Sequence, residues 1–254
     1  MKVLASILCR AALVAATFVP LSAQWLHYPT PGIPRTPDGK PNLSAPAPKM
    51  PDGKPDLTGI WVAADNKHLA DLADGAEVPM LPWAAALSKE RTENLAKGHP
   101  SERCLTHGVT DFDTLGIPWK ILQTPRSIAV LYEAYNHYRQ ILLDGRPLPK
   151  PTQPAFMGYS VGKWEGDTLV VDTTGFNDQG WIDNKGRPQT ETTHMTERFR
   201  RRDFGHIDLQ LIVEDPAAYT KPWGGSLVLN YVPDIELVEY ICENEKDLPH
   251  MVGK

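Results

Sequence analysis

The residues best placed to do chemistry are one carboxylate and one guanidinium that strand alternation turns toward the same interior. In HIDLQLIVE, Ile207, Leu209, Leu211 and Val213 share one face, and Asp208, Gln210 and Glu214 share the other. A three-residue loop Asp203-Phe204-Gly205, with Gly205 left-handed, sets Phe199 opposite Leu209 and Arg200 opposite Asp208. Met195, Glu197 and Phe199 then face inward, and His194, Thr196, Arg198 and Arg200 face out. A two-residue loop would instead drive Arg198 and Arg200 against Leu211 and Leu209, which is costly. The same treatment of residues 127–143, with the turn at Asn136-His137, pairs Tyr132 with Ile141 and Ala134 with Arg139. It places Val130, Tyr132, Ala134, Arg139, Ile141 and Leu143 on one mostly apolar face. An inward Glu197 near an inward Arg139 is either a structural ion pair or the polar end of a ligand site. In the second case Arg139 would clamp a carboxylate or developing oxyanion, and Glu197 would move a proton.

Other candidates lie around the long polar connection Gly175 to Thr193. Loops of this length are often lids or binding loops. An exposed Trp181, with Asn177, Asp178 and Asp183, would border a mouth; packed on the fold, the same Trp would be a decorated crossover. His194, where this loop rejoins a strand, is either a general base beside Asp178 or Asp183 or a loop cap. The parity of GYSVGKWEGDTLVVDTTG leaves open whether Val171 or Asp172 faces inward, so Tyr159 and Asp172 join Tyr132 as candidate ligand-lining residues. His107 and His137 rank below these. The acidic residues match no calcium-loop spacing, and neither Cys104 nor Cys242 has partners at zinc-finger spacing, so no metal and no cofactor is expected. G-x-S-x-G, H-E-x-x-H and phosphate-cradling glycine loops are absent. Arg200-Arg201-Arg202 reads as a solvated face.

The elements that must position these residues are strands. Ten or so short segments rich in β-branched and aromatic residues are split by Gly, Asn, Asp and Pro: Leu57–Val62, Trp119–Thr124, Ser127–Tyr135, His137–Leu143, Gly158–Trp164, Thr168–Thr174, His194–Arg201, His206–Glu214, Ser226–Val232 and Glu236–Cys242. Sequential strands without intervening helices predict an antiparallel up-and-down barrel, with a two-sheet sandwich as the alternative. One surface helix is expected over Pro82–Lys97, with Pro82 in its first turn and Gly98 as its stop. Ahead of the first strand, residues 29–55 hold nine prolines, and PDGKPNLS at 37–44 recurs as PDGKPDLT at 51–58. Such density favours an extended arm, wrapped on the domain or hanging free.

Residues 1–23, with Lys2, Arg10, a short apolar stretch and small residues around Ala23, have the layout of a cleavable secretory signal. The expected organisation is a signal over 1–23, an arm over 24–56 and one domain over 57–254, exported to the periplasm or beyond. Removal of the signal leaves 24 basic residues against 31 acidic ones and two cysteines, Cys104 and Cys242. An oxidising compartment would pair them, closing a loop worth about 4–5 kcal/mol of chain entropy. The negative balance argues against nucleic acid as a partner, and no later apolar run reaches membrane-spanning length.

The opening LTGIWV, with Gly59-Ile60-Trp61, resembles the Gly-x-Trp first strand of lipocalin-like proteins, and the hairpin KWEGDTLVV is similar to one found in lipocalin-like bacterial proteins. The span from Asp56 onward also resembles a set of secreted bacterial proteins of no assigned function. The matching stretches are PDLTGIW, YRQILLDGRPLP, GYSVGKWEGDTLVVDTTGFND, HMTERFRRRDFGHIDLQLIVEDPAAYTKPW and EYICENE. The lipocalin resemblance implies a cup holding a small apolar or aromatic molecule, its Trp61 plugging the closed end. The leading expectation is thus a secreted binding protein. Its alternatives are a cofactor-independent lyase, isomerase or hydrolase working through Glu197 and Arg139, and a carbohydrate-binding module.

Overall fold

The computed structural model describes residues 28–150, 153–240 and 242, so the expected signal segment lies outside the described residues. Nine strands form: β1 Gly59–Ala63, β2 Trp119–Gln123, β3 Ser127–Tyr132, β4 His137–Leu142, β5 Tyr159–Glu165, β6 Thr168–Thr174, β7 His194–Arg201, β8 His206–Glu214 and β9 Trp223–Tyr231. They close into a barrel in chain order, with β1 pairing β9. The fold is the mainly-β barrel that the alternation calls for. Residues 236–240, expected as part of a further strand, carry no regular structure.

One seam departs from an up-and-down meander. β4 and β5 run parallel and pair over only two positions, Ile141↔Ser160 and Leu142↔Val161, whereas β5 and β6 pair over seven. The connection between them carries Pro147, Pro149, Pro151 and Pro154. Pyrrolidine rings remove the donors a hairpin ladder would need, so β5 does not fold back on β4.

Register follows the expected parity, with two local corrections. Phe199 does lie opposite Leu209 and Arg200 opposite Asp208. Gly205, however, is not left-handed. Its lack of a side chain serves a close approach instead: a Cβ there would lie 2.5 Å from the Leu43 Cβ. In β3–β4 the turn is Glu133–Asn136 rather than Asn136-His137, so Arg139 faces Val130 and Ile128 faces Ile141. Tyr135 and Asn136 take positive φ within that four-residue turn. The slip relative to the expected pairing is an even number of residues, so the inward set is unchanged.

Trp61 on β1 is fully buried, its Nε1 donating to Leu57 O at 2.9 Å, with the Arg201 guanidinium 4.9 Å from its ring. Three helices lie outside the sheet: α1 Lys67–Ala70, α2 Pro82–Glu93 and α3 Val109–Thr114. α2 ends four residues earlier than expected because Leu95 and Ala96 unwind into the left-handed region. The arm neither hangs free nor stays extended. Each copy of the repeat closes the same turn, bridged Arg35↔Pro41 and Lys49↔Pro55, with Gly39 at φ 83° and Gly53 at φ 82°. The first copy is tied to the barrel through Phe204 N to Ala45 O and Gly205 N to Leu43 O, each 2.7 Å. A Cys104–Cys242 disulfide, Cα atoms 5.6 Å apart, fastens the segment before α3 to the C-terminal stretch.

Candidate functional site

All six residues of α3 are buried, two carboxylates among them. Two positions along a helix turn the side chain by roughly 200°. Asp111 and Asp113 therefore leave the same turn in nearly opposite directions, and Asp113 enters the barrel.

There it joins the pair anticipated from strand parity. Arg139 Nη1 donates to Glu197 Oε1 at 2.8 Å, and Nη2 donates to Glu197 Oε2 in a bidentate pair. Arg139 Nε donates to Ser160 Oγ at 3.0 Å and Nη2 also to Thr173 Oγ1 at 2.9 Å, while the two hydroxyls bond each other at 2.9 Å. Glu197 is fully buried and Arg139 is 4% exposed. Burial alone would lower the Arg139 pKa, but the charge and bonds of Glu197 outweigh it and hold it above its ordinary value. Tyr132 donates its hydroxyl to Asp113 Oδ1 at 2.9 Å. Desolvation first, and the Glu197 charge second, push the Asp113 carboxyl well above the usual range. Its Oδ2 has no hydrogen-bond partner among the described residues, and the raised pKa favours the protonated carboxyl beside the Glu197 charge. Burial and the neighbouring Asp113 likewise push the Tyr132 hydroxyl up. The cluster thus gathers one guanidinium, two carboxyl groups and three hydroxyls in a buried network.

A cavity bounded by Asp113, Trp119, Tyr132, Arg139 and Phe199 has a volume of about 10 Å³, room for about one water molecule. The neighbourhood expected as a cup is filled by side chains. Space opens instead at the short β4–β5 seam, where a cleft of about 510 Å³ is lined by Tyr138, Leu142, Pro147, Pro149, Met157 and Tyr159 and floored by Arg139 and Ser160. Because the ladder there is only two residues long, the first four residues of β4 have no β5 partner, and Arg139 and Ser160, both buried, lie against the gap.

The remaining candidates scatter. Tyr159 lines the cleft, 38% exposed, its hydroxyl on Gln153 O at 2.8 Å. Val171 faces in and Asp172 out, where its Oδ1 meets His194 Nε2 at 3.1 Å and Thr196 Oγ1 at 3.0 Å. His194 thus stands beside Asp172 and Glu214 on the outer face rather than beside Asp178 or Asp183. Trp181, expected at an open rim, is buried between the Arg91 guanidinium and His99. Asp183 is buried against Arg187 and the Leu72 amide. Asn177 caps its own turn through Gln179 N, and Asp178 is exposed. Asp113, Ser160 and Thr173 are the members that sequence reasoning missed. Settling Val171 as inward would have delivered Thr173 by alternation, whereas Asp113 sits in an irregular segment with no periodicity to read.

No family model matches the chain, and no curated protein matches it. Among solved structures it is similar to a point mutant of the fluorescent protein UnaG, at 16% identity and TM-score 0.35 over 71% of this chain and 97% of that one. A second UnaG point mutant gives 15% and 0.32 over 70% and 95%. A luciferase domain from the dinoflagellate Lingulodinium polyedrum gives 12% and 0.34 over 83% of this chain and 48% of that one. Likeness at this level assigns neither ligand nor reaction.

Proposed function

We propose that this chain is a small-molecule-binding barrel whose ligand occupies the β4–β5 seam cleft. The observation that carries the reading is that cleft, about 510 Å³ with apolar and aromatic walls and a polar floor at Arg139 and Ser160. Its size and lining suit a ligand of drug-like dimensions, and its residues favour a flat apolar or aromatic molecule with one polar end. The packed interior holds no comparable space around Glu197, both of whose oxygens are spent on Arg139. Acid–base chemistry there would need a substrate to displace that pairing, so binding is the better reading. The disulfide and the signal-like first 23 residues support export, with the protein working outside the reducing cytoplasm.

The test is titration with 8-anilinonaphthalene-1-sulfonate, a flat aromatic probe with an anionic end. Val161→Trp, filling the cleft from its β5 wall, should abolish saturable binding while leaving the melting temperature within a few degrees of wild type. Binding that survives Val161→Trp unchanged would place the ligand elsewhere.

A further inference from the structure

The second carboxylate of α3 has a different fate. Asp111 points away from the barrel toward His99 and His107. His99 precedes the short 3-10 turn Pro100–Arg103, and His107 stands four residues before Asp111 at the start of α3. One donor atom from each of the three lies within 4.8 Å of the others. His99 and His107 are each 7% exposed and Asp111 2%. We propose that His99, His107 and Asp111 bind a divalent transition-metal ion of the Zn²⁺ kind, at a site separate from the seam cleft.

Three observations carry this. The first is the state of the donors. His107 Nδ1 is in ion-pair contact with Asp111 Oδ2, and neither of these atoms nor His107 Nε2 has a hydrogen-bond partner among the described residues. His99 Nε2 lies 3.8 Å from the same carboxylate oxygen. Buried polar atoms normally find partners, and here lone-pair donors from three residues converge on one another instead.

The second is charge. Of the other buried acids, Glu197 has Arg139, Asp183 has Arg187, Asp215 accepts from Thr190, Thr192 and Thr193, and Asp113 accepts from Tyr132. The ion pairs that Asp111 makes among the described residues are with the two imidazoles alone. A cation bound at the three donors would neutralise it.

The third is the surrounding shell. His99 Nδ1 accepts from the Ser101 amide at 3.3 Å and lies 2.7 Å from Ser101 Oγ, contacts that hold the ring while Nε2 lies 3.8 Å from Asp111 Oδ2. Trp181 stands edge-on to His99 at 4.8 Å, Phe112 stacks on His107 at 5.4 Å, and Tyr135 lies 4.9 Å from His107. These rings exclude water and strengthen the charge interaction inside. Cys104, between the two histidines in sequence, anchors their loop through the disulfide.

The donor set selects the ion. Two imidazoles and one carboxylate suit Zn²⁺ and its neighbours, whereas Mg²⁺ and Ca²⁺ prefer oxygen alone. Ligand atoms sit at about 2.0–2.2 Å from Zn²⁺, so the observed spread closes on an ion with side-chain shifts of about an ångström. Three protein donors leave the remaining coordination to water or a bound molecule, the pattern of an open site rather than a closed structural one.

The test uses the full chain without a histidine tag, stripped with a chelator and titrated with Zn²⁺ by calorimetry, and with Co²⁺ by visible absorption. One equivalent should bind, Co²⁺ should show the d–d bands of a low-coordinate nitrogen and oxygen site, and excess Mg²⁺ should not compete. His99→Gln and His107→Gln, chosen to keep volume and polarity so that the fold survives, should each weaken binding by more than the roughly 10–100-fold that loss of an outer partner costs. Ser101→Ala should fall within that range, and His206→Ala, remote from the cluster, should change nothing. Failure of the wild-type chain to take up one equivalent would overturn the proposal, as would wild-type affinity in folded His99→Gln and His107→Gln.

Discussion

Asp111 and Asp113 stand two residues apart on one buried turn, yet they feed two clusters of opposite character. The barrel cluster is largely closed on itself: Arg139 donates to Glu197, Ser160 and Thr173, and Asp113 accepts from Tyr132. The outer cluster is open, its His107 and Asp111 atoms in ion-pair contact but without hydrogen-bond partners. A network whose members satisfy one another specifies structure. A set of buried donors left unsatisfied costs stability and is retained where something else completes it. The contrast explains why the residues that looked catalytic in sequence lie in a packed interior, while the more reactive arrangement lies where no strand pattern pointed.

The largest effect should come from breaking the closed cluster. Glu197→Ala leaves the Arg139 guanidinium buried and unpaired, at an expected cost of about 3–5 kcal/mol in urea unfolding. Replacing both partners, as Arg139→Met with Glu197→Leu, should recover most of that loss, because Ser160 and Thr173 already bond each other. A single substitution costing under about 1 kcal/mol would mean that the cluster is not the self-contained unit described.

The pH response comes next. The folded chain holds a proton on Asp113 well above pH 3.8, the ordinary value at which the unfolded chain releases it. Between those two pKa values the folded state binds more protons, so this group's contribution is full below about pH 4 and falls as pH rises toward the folded-state pKa. Asp113→Asn keeps the side chain's shape without the titrating proton. The stability of wild type relative to this variant should fall as pH rises above about 4, by at most about 1.4 kcal/mol per pH unit, until the folded-state pKa is passed. Parallel curves for the two proteins would show that Asp113 is ionised in the fold.

How much of this was legible follows from where periodicity exists. Glu197 could be turned inward because its neighbours Met195 and Phe199, and Leu209 and Leu211 across the ladder, share its parity. Arg139 survived a misplaced turn because the error was even. The parallel seam was less visible, since a proline-rich connection tells what cannot pair but not where the chain re-enters the sheet. His99, His107 and Asp111 lie in a stretch of short turns with neither a period of two nor a sustained period of 3.6. There only the His107–Asp111 spacing of four residues hinted that two donors share a face. Cys104, three residues before His107, is committed to its disulfide.

The smallest expected effect is the sharpest separation of the two clusters. With metal removed by chelator, Asp111→Asn should change unfolding stability by no more than about 0.5 kcal/mol, or raise it, because it deletes a buried charge that imidazoles alone accompany. The same substitution should remove the stabilisation that Zn²⁺ confers on wild type, about 2.7 kcal/mol when the free ion is at 100 times its Kd. Loss of several kcal/mol in the metal-free variant would instead mark Asp111 as the keystone of a histidine–aspartate network that serves the fold. The two carboxylates of α3 would then differ in their partners but not in kind, and the division between a satisfied cluster and a waiting one would collapse.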